Sequence, residues 1–326
     1  LTLSKVDCKK IALFTNVDAK CVFTLPDVDS IHSIPVMMNA QGLDKQVVEK
    51  LKIKCGNPKL SAWKKVTSLE NERKGKITIA MVGKYTELTD SYKSINEALG
   101  HAGIHNKTQV EINYYDSEQF NKGIKNFKAD GILIPGGFGH RGINGMINMA
   151  KYAREKNIPY LGICLGMQIA VIEYARNVLK LNADSTEFNK KTAHPVIALI
   201  TEWMDEEGLM HFRSESSDKG GTMRLGSQLC KLKKDSKMAK LYKKLEIFER
   251  HRHRYEFNNN YLSKFDKSGL KIVGRSEDES LVEAVELKGH KWFVGCQFHP
   301  EFTSDPRLGH PLFKGFVKAA KNRSKI

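Results

Sequence analysis

One cysteine of this sequence stands in a setting that favours nucleophilic chemistry. Cys164 is the centre of Gly162-Ile163-Cys164-Leu165-Gly166, where a short apolar run meets a helical pattern. This is the thiol form of the nucleophile elbow, a tight turn whose flanking glycines let strand and helix approach each other. The helix dipole would favour the ionised thiol. The pattern predicts a reactive Cys164; a buried structural cysteine between chance glycines is the alternative reading.

A candidate base for this thiol comes much later in the chain. His299-Pro300-Glu301 follows an apolar run, and residues two apart on an extended segment face the same way. Glu301 could then orient His299 and stabilise its charged form while His299 accepts the proton of Cys164. The tripeptide alone is weak evidence, because the chain has 11 histidines.

A glycine-rich loop, Ile134-Pro135-Gly136-Gly137-Phe138-Gly139, supplies the third feature. Gly137 could direct a backbone N–H at the oxyanion, beside the N–H of Leu165, although an ordinary turn would have the same composition. The loop lacks the full phosphate-loop pattern. Taken together, the three features predict a class I glutaminase, in which a thiolate attacks the glutamine amide, ammonia leaves and water hydrolyses the thioester.

The elements that must position these residues alternate between strand and helix. After residue 76 the periodicity predicts strands at 77–82, 110–115, 131–134 and 160–163, and helices at 91–102, 117–127, 143–155 and 166–178. From residue 196 the pattern is strand-rich, with a last helix at 311–320. The strands of this part are predicted at 196–200, 221–232, 245–258, 270–275, 281–287 and 292–298. The fold class predicted is α/β, a doubly wound, mostly parallel sheet with an antiparallel strand-rich addition.

The first 76 residues look different. Residues 1–53 contain one strand-like run at 11–17 and a helix-like piece at 43–51, which is too little to close a core and is typical of the tail of another domain. Residues 54–76 are polar and predict a linker. We therefore predict a domain remnant at 1–53, a linker at 54–76 and an amidotransferase domain at 77–326.

Composition narrows the class of protein further. The net charge is +16, but the lysines are scattered, which favours a solvated surface over a nucleic-acid patch. No apolar run is long enough to span a bilayer, and the first residues do not form a secretory signal. The six cysteines occur singly and show no C-x-x-C pair, which predicts free thiols, no metal site and a cytoplasmic location.

Several phrases make the sequence resemble the CTP synthases over essentially its whole length. The cysteine elbow and His-Pro-Glu are shared with other glutaminases, whereas the arginine- and histidine-rich phrase and the Gly-Gly-Thr-Met-Arg phrase distinguish this family. The phrases are Asp27-Val28-Asp29-Ser30-Ile31, Met81-Val82-Gly83-Lys84-Tyr85, Leu161-Gly162-Ile163-Cys164-Leu165-Gly166-Met167-Gln168, Ser185-Thr186-Glu187-Phe188, Gly220-Gly221-Thr222-Met223-Arg224-Leu225-Gly226, Glu249-Arg250-His251-Arg252-His253-Arg254-Tyr255-Glu256 and Gln297-Phe298-His299-Pro300-Glu301-Phe302.

The resemblance implies an activity, its substrates and its site residues. The family aminates UTP to CTP with ATP, Mg²⁺ and ammonia from L-glutamine that travels through an internal tunnel; GTP is an allosteric activator and the enzyme is a homotetramer. Lys10 would contact the UTP or CTP nucleotide, and Pro26-Asp27-Val28 would lie against the adenine of ATP. The residues that would hold glutamine are Gly137, Leu165, Gly166, Met167, Gln168, Glu187 and Arg254.

The resemblance also implies that a synthetase domain precedes this stretch, of which residues 1–53 are the last piece. We therefore expect glutamine hydrolysis from the chain as written, whereas CTP formation and the tetramer depend mainly on the preceding domain. The alternative is a free-standing class I glutaminase or γ-glutamyl hydrolase, which would not need residues 1–53. A basic nucleic-acid-binding protein is the other alternative, and the absence of interleaved aromatic residues argues against it.

Overall fold

The chain forms two compact units, Leu1–Arg73 and Lys74–Ile326, in a computed structural model. The structure describes residues 3–84, 89–199, 202–204, 210–212 and 223–324. The end of the predicted strand 196–200, the start of the predicted strand 221–232 and Gly220, Gly221 and Thr222 of the family phrase lie outside the described residues. The two units are described separately.

The N-terminal unit is helical where a strand was expected. Helix α1 covers most of the predicted strand 11–17, so that prediction is wrong. The side chain of Ser4 caps the helix by accepting from the N–H of Asp7, whose carboxylate accepts from Ser4, and Asn16 ends it in the left-handed region at φ 54°. These end signals outweigh the strand-like composition. The helices of this unit are α1 (Lys5–Thr15), α2 (Ile34–Ala40), α3 (Leu43–Lys50) and α4 (Ser61–Asn71), with short 3-10 turns at Ala19–Cys21 and Ile31–Ser33.

Helix α4 occupies the segment that was predicted to be a linker. Its Val66 is buried, and its Glu70 accepts a hydrogen bond from Ser30 at 2.5 Å and lies 3.1 Å from Nδ1 of His32. The polar composition of this segment therefore reflects the exposed face of an amphipathic helix. The division between the two units falls at Arg73, within the stretch 54–76.

A nine-stranded sheet forms the centre of the second unit. Its order is β10-β9-β12-β13-β14-β4-β3-β1-β2, and the five strands from β14 to β2 pair in parallel while the rest pair antiparallel. The strands are β1 (Lys76–Gly83), β2 (Gln109–Asp116), β3 (Gly131–Ile134), β4 (Tyr160–Ile163), β5 (Ala183–Ser185), β6 (His194–Leu199), β7 (Glu202–Met204), β8 (Met210–Phe212), β9 (Arg224–Leu232), β10 (Glu246–His253), β11 (Tyr255–Phe257), β12 (Leu270–Ser276), β13 (Val282–Leu287) and β14 (Phe293–Cys296). The fold class predicted from the sequence, a parallel α/β core with an antiparallel addition, is confirmed.

Helices cover both faces of the parallel part. Ile132 and Leu133 are consecutive residues of β3, yet Ile132 packs in the hydrophobic cluster with α6 and α7 and Leu133 in the one with α5 and α10. The strand is thus buried on both faces, as its continuous apolar sequence requires. The helices are α5 (Lys93–His105), α6 (Ile143–Glu155), α7 (Leu165–Asn177), α8 (Lys237–Tyr242), α9 (Leu262–Asp266) and α10 (Pro311–Ser324).

The predicted helix 117–127 is wrong. Only a short 3-10 turn, Ser117–Phe120, forms there, and a helix is not continued because Gly123 and Asn126 adopt positive φ values of 107° and 50°. Two smaller sheets complete the unit: β5, β6 and β11 form one, and β7 and β8 form the other. The strand order reverses between β1 and β3, so the carboxyl ends of these central strands border the crevice in which sheets of this kind bind ligands.

Candidate active site

Cys164 occupies a strained turn between β4 and α7. It adopts φ 53° and ψ −103°, and the side chain is only 3% exposed. A Cβ on Gly162 would lie 2.5 Å from the carbonyl oxygen of Gly166, and a Cβ on Gly166 would collide with the carbonyl oxygen of Ile134. Both flanking glycines are therefore required because other backbone atoms lie too close to allow a side chain. The backbone strain of the turn, a positive φ, falls on Cys164 itself.

Replacing Gly166 by alanine tests this packing. The added methyl group would meet the backbone of β3, which cannot move like a side chain. We expect the free energy of unfolding to fall by about 2–3 kcal/mol in chemical denaturation. Gly100→Ala is the matched control, because nothing lies within 4 Å of that position on α5, and alanine should stabilise the helix by up to about 1 kcal/mol. Equal stability of the two variants would contradict the packing described here.

The glycine loop after β3 contacts His299 and the residues of the cysteine elbow. A Cβ on Gly136 would be 2.8 Å from Cε1 of His299 and 3.5 Å from Cβ of Cys164. A Cβ on Gly137 would be 3.4 Å from Cδ2 of Leu165. The fold thus brings the two residues predicted to hold the oxyanion, Gly137 and Leu165, next to each other. A side chain at Gly136 would occupy the space between His299 and Cys164.

The side chains of His299 and Glu301 lie close together, as their spacing suggested, but the backbone conformation that brings them together differs from the predicted one. The extended segment ends at His299, and Glu301 lies in a 3-10 turn, Pro300–Thr303, which differs from the extended geometry expected from the sequence. Nδ1 of His299 is nevertheless 2.7 Å from Oε1 of Glu301. The N–H of His299 also donates to the carbonyl of Arg250 at 2.8 Å, which fixes the turn to β10. Nε2 of His299 is buried and has no hydrogen-bond partner among the described residues.

The electrostatics of this group favour a protonated imidazole. Burial lowers the pKa of His299, but the negative charge of Cys164 and its side-chain interaction with the imidazole, followed by the hydrogen bond and charge of Glu301, outweigh burial and raise the pKa from 6.5 to about 10. A cationic His299 beside a thiolate is the arrangement that a cysteine nucleophile needs, because the same imidazolium can then protonate the departing amine.

The raised pKa of His299 predicts where glutamine hydrolysis fails at high pH. The imidazole keeps its proton until the pH passes about 10, so the alkaline limb of kcat/KM should lie near that pH. Glu301→Gln removes a charge that raises this pKa, and the limb should move to lower pH by about one unit or more. Glu277→Gln, at an exposed position, is the control with the same chemical change. An alkaline limb that stays in place in Glu301→Gln would contradict the assigned role.

Two glutamine side chains connect the elbow with the end of β14. Nε2 of Gln168, on the first turn of α7, donates to the carbonyl of Tyr255 at 2.8 Å and to Oε1 of Gln297 at 3.2 Å. Nε2 of Gln297 in turn lies 3.6 Å from Sγ of Cys164. Met167 points away from this group and packs against Gly295. Gln297 had no assigned role in the sequence interpretation; its position two residues before His299 was the available signal.

Glu187 lies at the other side of the glycine loop. Its Oε1 accepts a hydrogen bond from the N–H of Gly139 at 2.8 Å. Lys84, at the end of β1, is buried and donates to the carbonyl of Phe138 at 3.0 Å and to that of Gly139. Burial lowers the pKa of Lys84 to about 8, although the charge of Glu187 acts in the opposite direction. Lys84 therefore anchors the loop through its carbonyls, a role that the sequence alone did not suggest.

Arg254 and Arg252 lie in different surroundings. Arg252 is exposed on β10, and only its carbonyl faces the site, 3.9 Å from Sγ of Cys164. Arg254 is half-buried in the bend after β10, and its Nε is a buried donor without a partner among the described residues. An unsatisfied buried guanidinium donor is available to an anionic group of a ligand.

The residues assigned to nucleotides belong to the N-terminal unit. Lys10 is exposed on α1, Asp27 is exposed, and Pro26 and Val28 are half-buried in the stretch that precedes α2. Among the described residues, no group of three or more His, Cys, Asp or Glu side chains is arranged to hold a metal ion. The described helices include none that is both long and apolar enough to cross a bilayer.

Comparison with known proteins identifies the family of this chain. Residues 87–319 match the model of the class I glutamine amidotransferase family, and residues 1–53 match the model of the CTP synthase N-terminus. The glutaminase domain of Trypanosoma brucei CTP synthase, solved with bound acivicin, is 38% identical and superposes with a TM-score of 0.67, over 76% of this chain and 94% of that one. The chain belongs to the CTP synthase family.

Within the wider group of class I glutamine amidotransferases the similarity is lower. A glutamine amidotransferase of Thermotoga maritima is 14% identical, with a TM-score of 0.41, over 76% of this chain and 97% of that one. The match to the Trypanosoma brucei glutaminase domain covers 76% of this chain, and the match to the class I glutamine amidotransferase model covers residues 87–319. The chain contains a CTP synthase-like glutaminase domain. Glutamine as the substrate is consistent with membership of the glutamine amidotransferases.

Proposed function

We propose that the chain hydrolyses L-glutamine with a Cys164, His299, Glu301 triad. The thiolate attacks the side-chain carbonyl carbon, and the N–H groups of Gly137 and Leu165 hold the resulting oxyanion. His299 gives its proton to the amide nitrogen, the carbon–nitrogen bond breaks and ammonia leaves. His299 then takes a proton from water, which attacks the thioester, and glutamate and the thiolate are released.

The observation that carries this proposal is the arrangement around His299. Its Nδ1 is bonded to Glu301 at 2.7 Å, its Nε2 has no partner among the described residues, and Gly136 lies against both its ring and Cys164. Such an imidazole has one nitrogen fixed by a carboxylate and the other available for proton transfer, which is what the base of a triad requires.

The glutamine substrate is proposed to lie along the elbow and the glycine loop. Its reacting end would contact Gly137 and the run Leu165, Gly166, Met167 and Gln168. Glu187 would bind its α-amino group and Arg254 its α-carboxylate, directly or through neighbouring groups. The unpartnered Nε of Arg254 and the position of Glu187 beside Gly139 support these assignments.

We further propose that the ammonia serves the ATP-dependent amination of UTP to CTP, a ligase reaction in a cytoplasmic homotetramer activated by GTP. The match of residues 1–53 to the CTP synthase N-terminus supports this over a free-standing glutaminase or γ-glutamyl hydrolase. Lys10 would contact UTP or CTP, and Pro26, Asp27 and Val28 would contact ATP. The described residues include no group of three or more His, Cys, Asp or Glu side chains arranged to hold Mg²⁺. All six cysteines are free thiols, as suits a cytoplasmic protein.

Incubation of the purified chain with L-glutamine tests the proposed hydrolysis. Glutamate and ammonia should appear in equal amounts, because each thioester releases one ammonia and is hydrolysed to one glutamate. γ-Glutamyl-p-nitroanilide serves as a comparison substrate, and we expect it to react more slowly than glutamine. A folded chain that forms no glutamate, with or without GTP, would contradict the proposal; faster cleavage of the anilide would favour a γ-glutamyl hydrolase.

A further inference from the structure

Gln297 is a buried polar side chain that the proposed triad does not use. It is fully buried directly after β14, between the fully buried Cys296 and Phe298. Its backbone N–H donates to the carbonyl of Glu283 at 2.8 Å, which holds the residue in the sheet. Because a buried amide costs free energy unless it is hydrogen-bonded, the partners of its side chain are informative. One of them is Sγ of Cys164, at 3.6 Å.

The neighbouring hydrogen bonds fix which end of the Gln297 amide faces the sulfur. The carbonyl of Tyr255 can only accept, so the group of Gln168 that lies 2.8 Å from it must be the NH₂. The same NH₂ lies 3.2 Å from Gln297, which must therefore present its oxygen to Gln168. The NH₂ of Gln297 is then left to face Cys164. The backbone of β11 thus sets the direction of a chain of hydrogen bonds that ends on the nucleophile.

We propose that Gln297 is a catalytic residue, which donates a hydrogen bond to the sulfur of Cys164 and stabilises the thiolate relative to the thiol. A donor aimed at a charged acceptor favours the charged form, because such a bond is roughly twice as strong as a neutral one. The inference deepens the proposed glutaminase function and rests on it for its catalytic meaning. In the hydrolysis step the sulfur leaves as a thiolate, so the same donor favours the departure of Cys164 from the thioester.

The other titratable groups around Cys164 leave this effect measurable. From β14, burial raises the pKa of Cys296, which stays a neutral thiol. From β10, burial lowers the pKa values of His251 and His253, which stay neutral imidazoles near neutral pH. His299 keeps its proton up to a pH of about 10, and the carboxylate of Glu301 is bonded to it. Cys296, His251, His253 and His299 therefore keep their charge states near neutral pH.

Alkylation by iodoacetamide measures this ionisation without glutamine, because the thiolate displaces iodide and the reagent needs no glutamine site. In Gln297→Met, which keeps the length but removes the donor, the midpoint of the pH profile for Cys164 alkylation should rise by about one to two units. Gln109→Met, an exposed position on β2, is the control and should leave the midpoint unchanged. A folded Gln297→Met with the midpoint of the unaltered chain would overturn the proposal.

If Gln297→Met does not fold, a second variant and a measurement on the unaltered chain still test the proposal. Gln297→Glu has the same shape but places a carboxylate beside the sulfur, so the midpoint should rise further. In the unaltered chain, the ¹⁵N resonance of the Gln297 side-chain amide should follow pH with the alkylation midpoint, and should stop doing so once Cys164 is alkylated. An unresponsive resonance would overturn the proposal. Because iodoacetamide requires no glutamine, this result is distinct from a failure to hydrolyse glutamine.

Discussion

Replacing Cys164 by serine is expected to reduce kcat for glutamine hydrolysis by at least roughly 10³-fold. The hydroxyl fits the same turn, but it does not ionise beside His299 as a thiol does, so the step that forms the acyl-enzyme lacks its nucleophile. The fold should be retained, since the strained φ of 53° and the two flanking glycines are unchanged. Steady-state measurement of glutamate release, together with thermal unfolding, separates loss of chemistry from loss of structure.

Cys55→Ser is the matched control for this experiment, because Cys55 is the exposed free thiol of the N-terminal unit. It carries the same substitution without touching the elbow, and its kcat should equal that of the unaltered chain. If Cys164→Ser kept a kcat within a few-fold of the control, another group would be the nucleophile and the assignment of the site would be wrong.

Replacing His299 by glutamine is expected to lower kcat for glutamine hydrolysis by about 10²- to 10⁴-fold, the usual contribution of a general acid–base group. The NH₂ group of glutamine can still donate a hydrogen bond to the carboxylate of Glu301, but it cannot carry the proton to the leaving ammonia. Because the predicted loss concerns a proton transfer rather than binding, KM should change much less than kcat. Initial rates over a range of glutamine concentrations provide both constants.

His194→Gln makes the same change on β6, where the imidazole lies 3.3 Å from the hydroxyl of Tyr261 and outside the elbow. We expect its kcat to match that of the unaltered chain. Equal losses in His299→Gln and His194→Gln would mean that the effect is structural, and would contradict the role given to His299.

The elements that the sequence predicted well are those whose apolar residues recur with a regular helical or strand spacing. The helix 143–155 has the bounds expected, because its apolar residues recur with helical spacing on one face. The run 11–17 was misread, because an apolar, β-branched composition does not exclude a helix whose ends are capped by Ser4 and Asn16. The segment 117–127 was misread in the opposite direction, since two residues with positive φ break a pattern that is helical in composition.

The same limit applies to the site. The cysteine elbow could be predicted because its two glycines are required by close backbone contacts within the turn, and such a local requirement appears as a short sequence motif. The role of Gln297 does not follow from its position two residues before His299, because it depends on a hydrogen bond to a residue 133 positions away. Nor could the sequence choose Arg254 over Arg252 from composition alone. The two arginines differ only in the folded chain, where Arg252 is exposed on β10 and Arg254 is half-buried in the bend that follows.

The most direct test of the account is the identity of the residue that a glutamine-analogue diazoketone alkylates. The full chain is treated with the reagent, digested and mapped by mass spectrometry, with and without L-glutamine. We predict a single adduct on Cys164, slowed by glutamine and absent from Cys164→Ser, while the other five cysteines stay unmodified. An adduct on another residue, or labelling of Cys164 that glutamine does not slow, would contradict the assignment of Cys164 as the glutaminase nucleophile.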